Sequence, residues 1–382
     1  MVPQNKMLKP EHCRNRLKRL VEAAFRHKID LIILSDYRHV YYLTGHLRET
    51  DLPQILLVEA GAGKNHLITD IQPQQDCGVE VVVYESYSVQ WPVSFSAITE
   101  KAAHALDNVL EGIELPVKRV ALEKSRLNLS FAEVIARHFP SAEQVDATGV
   151  LAGLRRAKDA DEIELIRECI ASIEAGYGVA RRVIRPGATE LDVFKEVHGE
   201  IVRHAGYNLK FEGDFACGIR AIKESGSPLP IAIRPGDLHI LDIYPSFHGY
   251  HGDLCRTFAA SQPTNLQLKA WEVVRGALEL AERLVRPGVR TRDVWRQLRD
   301  YIDTFECARG SFWHHAGHGI GLESQEAPWI IPGSDHVFNL NDVIAIEPAC
   351  YSQALQGGVR LEHDYVVREN GLETLSTFPL EL

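Results

Sequence analysis

The sequence predicts two domains: an α/β amino-terminal domain over residues 1–152 and an α+β carboxy-terminal domain over 153–382 with an internal pseudo-twofold duplication. Three observations predict this. Apolar strand-like runs alternate with helical periodicity through the first part. A helix-and-hairpin pattern occurs twice in the second part. Acidic residues stand at the ends of apolar strands in both copies.

In the first part, Cys13, Leu17, Leu20, Val21 and Ala24 share one helical face over 11–28. "DLIILS" (30–35), "QILLVEA" (54–60), "EVVVYE" (80–85) and "KRVALE" (118–123) read as strands, with helices around 95–110 and 130–138. Composition changes near 150. "LRRAKDADEIELIRECIASIEAGYGVARRVI" reads as one long amphipathic helix, with Ile163, Ile166, Ile170 and Ile173 three and four apart. Asp159 followed by Glu162 has the spacing of a capping box.

The second part repeats itself. "RPGATELDVF" (185–194) matches "RPGVRTRDVW" (286–295), and "GDLHILD" (236–242) matches "NDVIAIE" (341–347) in the same order. Asp242 and Glu347 close their apolar strands, and Asp253 and Glu362 fall on the return strands of the two hairpins. Each acid taken alone reads more readily as an ordinary surface carboxylate, though for Asp242 and Glu347 the place after an apolar run weakens that reading. Brought together about a pseudo-twofold axis, four buried anions are unfavourable without counter-charge. Two divalent cations supply it, and His318 adds a nitrogen donor, its approach eased by Gly317 and Gly319. Oxygen-rich ligation with one imidazole suits Mn²⁺ or Co²⁺, with Zn²⁺ and Fe²⁺ as further options.

Composition sets bounds. With 382 residues, 45% of them hydrophobic and 25% charged, the chain has globular composition and a length suited to two domains. A net charge of -10 argues against nucleic-acid and anionic-membrane partners. No run approaches the ~18 apolar residues of a membrane span. The opening "MVPQNKMLKPEHCRNRLKRL" lacks an apolar leader core. The seven cysteines are scattered with no C-x-x-C, so reduced thiols and a cytoplasmic setting are expected.

"LDIYPSFHGYHGDLCRTF", "GHGIGLESQEAP", "VIAIEPACY" and "GGVRLEHDYVV" together resemble the pita-bread metallopeptidases: prolidase, aminopeptidase P, methionine aminopeptidase and the metal-free creatinase. "RLKRLVEAAFRHKIDLIILSDYRHVYYLTGH" resembles the creatinase/prolidase amino-terminal domain. The resemblance implies five metal ligands: Asp242, Asp253, His318, Glu347 and Glu362. Asp253 and Glu362 would bridge two cations, a hydroxide would bridge them too, and Glu347 would also accept a proton from the attacking water. Arg360 and Arg256 would orient carboxylates. A homodimer is implied, and the activity implied is that of an Xaa-Pro dipeptidase or aminopeptidase acting on short peptides.

The sequence departs from the family where substrate would sit. Gln325 replaces a histidine before Glu326, residues 218–236 contain no histidine, and Tyr244 stands where a glycine is usual. An amide donates a hydrogen bond but shuttles no proton. His314 and His315 are the favoured substitutes, with His315 assigned alongside Gln325. His248, His251 and His363 are more remote candidates, and Trp313 and Trp329 are candidate pocket walls. The alternative activity is a non-peptidase reaction on the same scaffold, like that of ectoine hydrolase or a lyase, on a small-molecule substrate. Five matching ligands argue against a metal-free binding module.

Overall fold

A computed structural model describes residues 7–61, 64–91, 93–223 and 226–382. The chain forms two compact units, Met1–Arg155 and Arg156–Leu382.

The first unit is built on a six-stranded mixed sheet in the order β4-β3-β2-β1-β5-β6. Its elements run α1 (Pro10–Arg26), β1 (Leu31–Leu34), α2 (Tyr37–Thr44), β2 (Ile55–Glu59), β3 (Asn65–Thr69), β4 (Glu80–Val83), α3 (Phe95–Glu111), β5 (Arg119–Leu122), α4 (Leu129–His138) and β6 (Glu143–Asp146). The all-apolar β1 takes the centre, antiparallel to β2 and parallel to β5. Such central strands are buried on both faces and show no alternation. Helices α3 and α4 are capped by Ser94 and Asn128, whose side chains accept from the Ala97 and Ser130 amides. Both pack Ile98, Leu106, Phe131 and Ile135 onto the sheet.

The long helix expected over 154–184 is two helices, α5 (Thr148–Arg156) and α6 (Ala160–Val183). Between them Ala157 bridges to Asp342 and the Lys158 amide bonds the Asn341 carbonyl at 3.0 Å. Those pairings take the backbone out of helical conformation. Asp159 then opens α6, with its amide bonded to Glu162 Oε2 at 2.8 Å.

The second unit continues with α7 (Glu190–Ala205), β7 (Gly213–Cys217), α8 (Arg220–Lys223), β8 (Leu238–Ile243), β9 (Ser246–Phe247), β10 (Tyr250–His251), β11 (Leu254–Ala259) and α9 (Asn265–Leu284). It ends with α10 (Thr291–Ile302), β12 (Gly317–Gly319), β13 (Val343–Ile346), β14 (Ala349–Ser352), β15 (Gly357–Arg360), β16 (His363–Arg368) and β17 (Gly371–Thr374). Two sheets carry the site, ordered β11-β8-β7 and β12-β13-β16-β17.

The duplication is visible in the hydrogen bonds. Asp237 accepts from the Arg234 amide at 2.8 Å, and its counterpart Asp342 from the Asn339 amide at 2.7 Å. Thr189 bridges to Ala232 just before α7, as Arg290 bridges to Val337 just before α10. Gly187 and Gly288, at φ 92° and 88°, make the same turn after Arg-Pro. The core between the halves gathers Leu238, Ile240, Val274, Leu298, Phe338, Ile344 and Tyr365.

Candidate metal centre

The four acids sit at the mouths of the two hairpins. Asp242 lies near the end of β8 and Glu347 directly follows β13. Asp253 and Glu362 are not within the return strands; each is the residue immediately before one, β11 and β16 respectively. The reason is register. Asp242 pairs with Cys255 and Ile346 with His363, so the paired ladders end just short of Asp253 and Glu362. A residue outside the ladder can turn inward without obeying strand alternation.

His318 is held on β12, opposite Ala345 of β13. Its Nδ1 donates to the Gly319 carbonyl at 2.9 Å. Nε2 is left with its lone pair, 3.5 Å from Glu347 Oε1 and 3.7 Å from Asp253 Oδ2. The flanking glycines serve the backbone, not a ligand's approach. A Cβ on Gly317 would lie 2.0 Å from the Ala345 carbonyl oxygen, and one on Gly319 2.2 Å from that of Ala327. His318 is therefore seated by strands that meet closer than side chains permit.

Asp253, His318 and Glu362 bring donor atoms within 4.8 Å of one another, and so do His314, His315 and Glu347. All five expected ligands are buried. Among the described residues Asp242 Oδ1, Asp253 Oδ1 and Glu362 Oε2 are buried without a hydrogen-bond partner. Burial and the surrounding carboxylates push Asp253 and Glu362 well above the usual carboxylate range. Burial also lifts Asp242 to about 7, against the opposing charge of Arg360. Burial acts on Glu347 the same way but is outweighed by His315, His314 and His318, which hold it at about 2. Orphaned acceptors and carboxyls driven toward neutrality are what a cation-binding cage shows without cations, so the donor set fits divalent metal.

Supporting contacts fix the cage. Arg360 Nη2 reaches Asp242 Oδ2 at 2.9 Å and Asp214 Oδ2 at 3.3 Å, as an orienting arginine should. Arg256 orients no carboxylate in this way. Its guanidinium is spent on backbone carbonyls, those of Cys255 at 2.9 Å, Glu362 at 2.5 Å and Phe378 at 3.0 Å. It fixes the chain at Glu362 and not the carboxylate. Asp364 Oδ2 accepts from the Asp253 amide at 2.8 Å.

A cavity of about 520 Å³ opens onto Asp242, Asp253, His318 and Glu347, a size that suits a small ligand or the end of a short peptide. Gln325, His314, His315, Tyr244 and the exposed Trp313 line it. His315 Nδ1 is 2.9 Å from Glu347 Oε1. His314 Nε2 bonds Tyr351 Oη at 3.0 Å. Among the described residues the other candidate histidines lie off the cavity wall. His248 stacks on Tyr207, His251 Nδ1 donates to the Tyr244 carbonyl at 3.2 Å, and His363 packs against Tyr365. Trp329 backs His318 and His315, with ring centroids 6.1 and 6.5 Å away, and does not line the cavity.

Sequence reasoning missed Glu212, just before β7, and Asp214 on it, which line the cavity with Ala216. Asp214 pairs in register with Asp242, and only sheet order reveals that. It also missed Lys158, whose Nζ meets Glu326 Oε1 at 2.7 Å in a buried pair next to Gln325.

This fold and site define a pita-bread metallohydrolase with a creatinase/prolidase-type amino-terminal domain. Residues 164–369, more than half of the chain, match the model of metallopeptidase family M24, and residues 16–157 match the creatinase/prolidase N-terminal domain. The chain belongs to metallopeptidase family M24. It is 26% identical to the uncharacterized peptidase YqhT of Bacillus subtilis (strain 168), over 93% of this chain and 95% of that protein. It is 24% identical to a protein named Xaa-Pro dipeptidase from Pyrococcus horikoshii, over 96% of this chain and 98% of that one. The solved structure of an Xaa-Pro dipeptidase from Bacillus anthracis superposes with a TM-score of 0.82 at 26% identity, covering 97% of this chain and 99% of that chain.

Proposed function

We propose that the protein is a dinuclear metal-dependent Xaa-Pro dipeptidase or aminopeptidase acting on short peptides. The observation that carries this reading is the convergence of Asp242, Asp253, His318 and Glu347 on one cavity, with Glu362 grouped with Asp253 and His318 and with carboxylate oxygens left unpartnered. Mn²⁺ or Co²⁺ suits this oxygen-rich set. The relatives named for Xaa-Pro cleavage supply the substrate class.

Asp242, Asp253, His318, Glu347 and Glu362 would hold two divalent cations, which when bound make water more acidic and polarise a carbonyl. Glu347 takes the proton of the attacking water. Arg360 fixes Asp242, and the Gly319 carbonyl fixes the tautomer of His318. Gln325 faces the substrate carbonyl as a neutral donor, and His315 acts on Glu347 from the cavity side. Trp313 and Tyr351 offer apolar surface to a proline ring.

A second reading, hydrolysis or lysis of a small non-peptide molecule, is favoured by Gln325. A wall without the usual histidine loses a charged donor at the reacting carbonyl. The deciding experiment is an Xaa-Pro panel assayed with metal-free protein before and after Mn²⁺ or Co²⁺ addition. Metal-dependent release of the amino-terminal residue is expected. Metal uptake without cleavage of any member would overturn the peptidase reading and favour the second.

A further inference from the structure

We propose that His315 is a metal ligand in its own right beside Glu347, giving the centre a second imidazole in addition to His318, where the family resemblance implies one. The proposal rests on the dinuclear reading above and adds a ligand to it.

The geometry is that of two nitrogens sharing one carboxylate oxygen as neighbour. Glu347 Oε1 lies 2.9 Å from His315 Nδ1 and 3.5 Å from His318 Nε2. Donor atoms bound to one ion at ~2.1 Å stand about 3.0 Å apart at a right angle and about 3.4 Å apart at the tetrahedral angle. Each nitrogen–oxygen separation therefore matches an edge of a coordination polyhedron, with His315 grouped with Glu347 and His318 grouped with Asp253 and Glu362. His315 Nδ1 is buried, and the Glu347 oxygen at 2.9 Å is the polar atom beside it among the described residues. It also borders the cavity onto which the carboxylates open.

His314 makes the contrast. It belongs to the same donor cluster, yet both of its ring nitrogens are engaged. Nδ1 is 2.6 Å from the His315 carbonyl and Nε2 is 3.0 Å from Tyr351 Oη. Of the two adjacent histidines, only His315 has a nitrogen to give. A second imidazole moves the site's preference away from Mn²⁺ and toward Co²⁺ and Zn²⁺.

The test is metal titration of the metal-free full-length protein, for wild type, His315→Ala, His315→Gln and His314→Ala. Co²⁺ and Zn²⁺ affinities come from chelator competition, and the ligand set from the visible absorption of the Co²⁺-loaded protein. Metal-free circular dichroism selects variants that have folded. Both His315 variants are expected to lose Co²⁺ and Zn²⁺ affinity at one of two sites by ~10–100-fold or more. Mn²⁺ affinity should fall less and the Co²⁺ bands should shift, while His314→Ala keeps wild-type bands. Wild-type Co²⁺ bands and affinity in both folded His315 variants would overturn the ligand role. Failure of the wild type to take up any divalent cation is a different result: it removes the dinuclear reading itself.

Discussion

Replacing Gly317 with alanine should unseat His318 without touching a donor atom. The new Cβ would lie 2.0 Å from the Ala345 carbonyl oxygen and 3.1 Å from Ile346 Cα, in a backbone conformation of φ +141° that L side chains rarely adopt. To restore ordinary contact, β12 and β13 must part by about 1.5 Å. Overpacking of this kind costs ~1–3 kcal/mol, and a Gly-only backbone conformation adds ~1–3 kcal/mol. Together they give roughly 2–6 kcal/mol, or a fall in Tm on the order of 5–20 °C for a unit of this size. The separation also carries His318 away from Glu347 and Asp253, so bound metal per folded chain should drop. Urea melts and metal analysis of Gly317→Ala check both effects. A wild-type midpoint with wild-type metal content would refute the view that the glycines exist for strand closure.

Two further outcomes follow from the same structure. Gln325→His restores the charged donor of the family pattern. It should raise Xaa-Pro turnover at least tenfold, within the ~10²–10³ a single such contact commonly supplies; no rise in kcat/KM would point to a pocket shaped for another substrate. Glu190 is buried, paired with Arg220 at 2.8 Å, and bonded to the amides of Cys217 and Leu229 at 2.9 and 3.0 Å. Burial raises its carboxyl, but Arg220 and the two amides outweigh that and leave it below its ordinary value of 4.5. A depressed folded pKa stabilises above the unfolded pKa and is lost as pH falls through the folded one. Glu190→Gln should thus cost ~3–5 kcal/mol at neutral pH, with the gap to wild type closing below pH 4.5. A gap unchanged between pH 7 and pH 3 in urea melts would contradict the ion-pair account.

What could be read from the residues divides along physical lines. The apolar runs of β1, β2 and β5 announce themselves because a buried central strand has no alternative use for such a run. β3 and β6 escape notice. "NHLIT" is only partly apolar, and "EQVD" is a mostly exposed edge strand. α2, "YRHVYYLT", is short and buried almost all round, so it lacks amphipathic period. In the site, the acids are legible because each stands at or next to the end of an apolar strand. The partners of those acids are not. Asp214 reaches Arg360 through sheet order, Lys158 reaches Glu326 across the chain, and His315 reaches Glu347 through the path of the loop before β12. Such pairings depend on register and loop path, which local composition does not encode.

The most direct measurement is bound divalent metal per chain, by plasma mass spectrometry after dialysis against Mn²⁺ or Co²⁺, for wild type and Asp253→Ala, with Xaa-Pro hydrolysis followed in the same samples. Wild type is expected to hold two ions per chain and to cleave. Asp253→Ala, folded by circular dichroism, should lose both the second ion and the activity. Hydrolysis that survives complete metal removal, or unchanged metal content in Asp253→Ala, would contradict a catalytic centre built on these carboxylates.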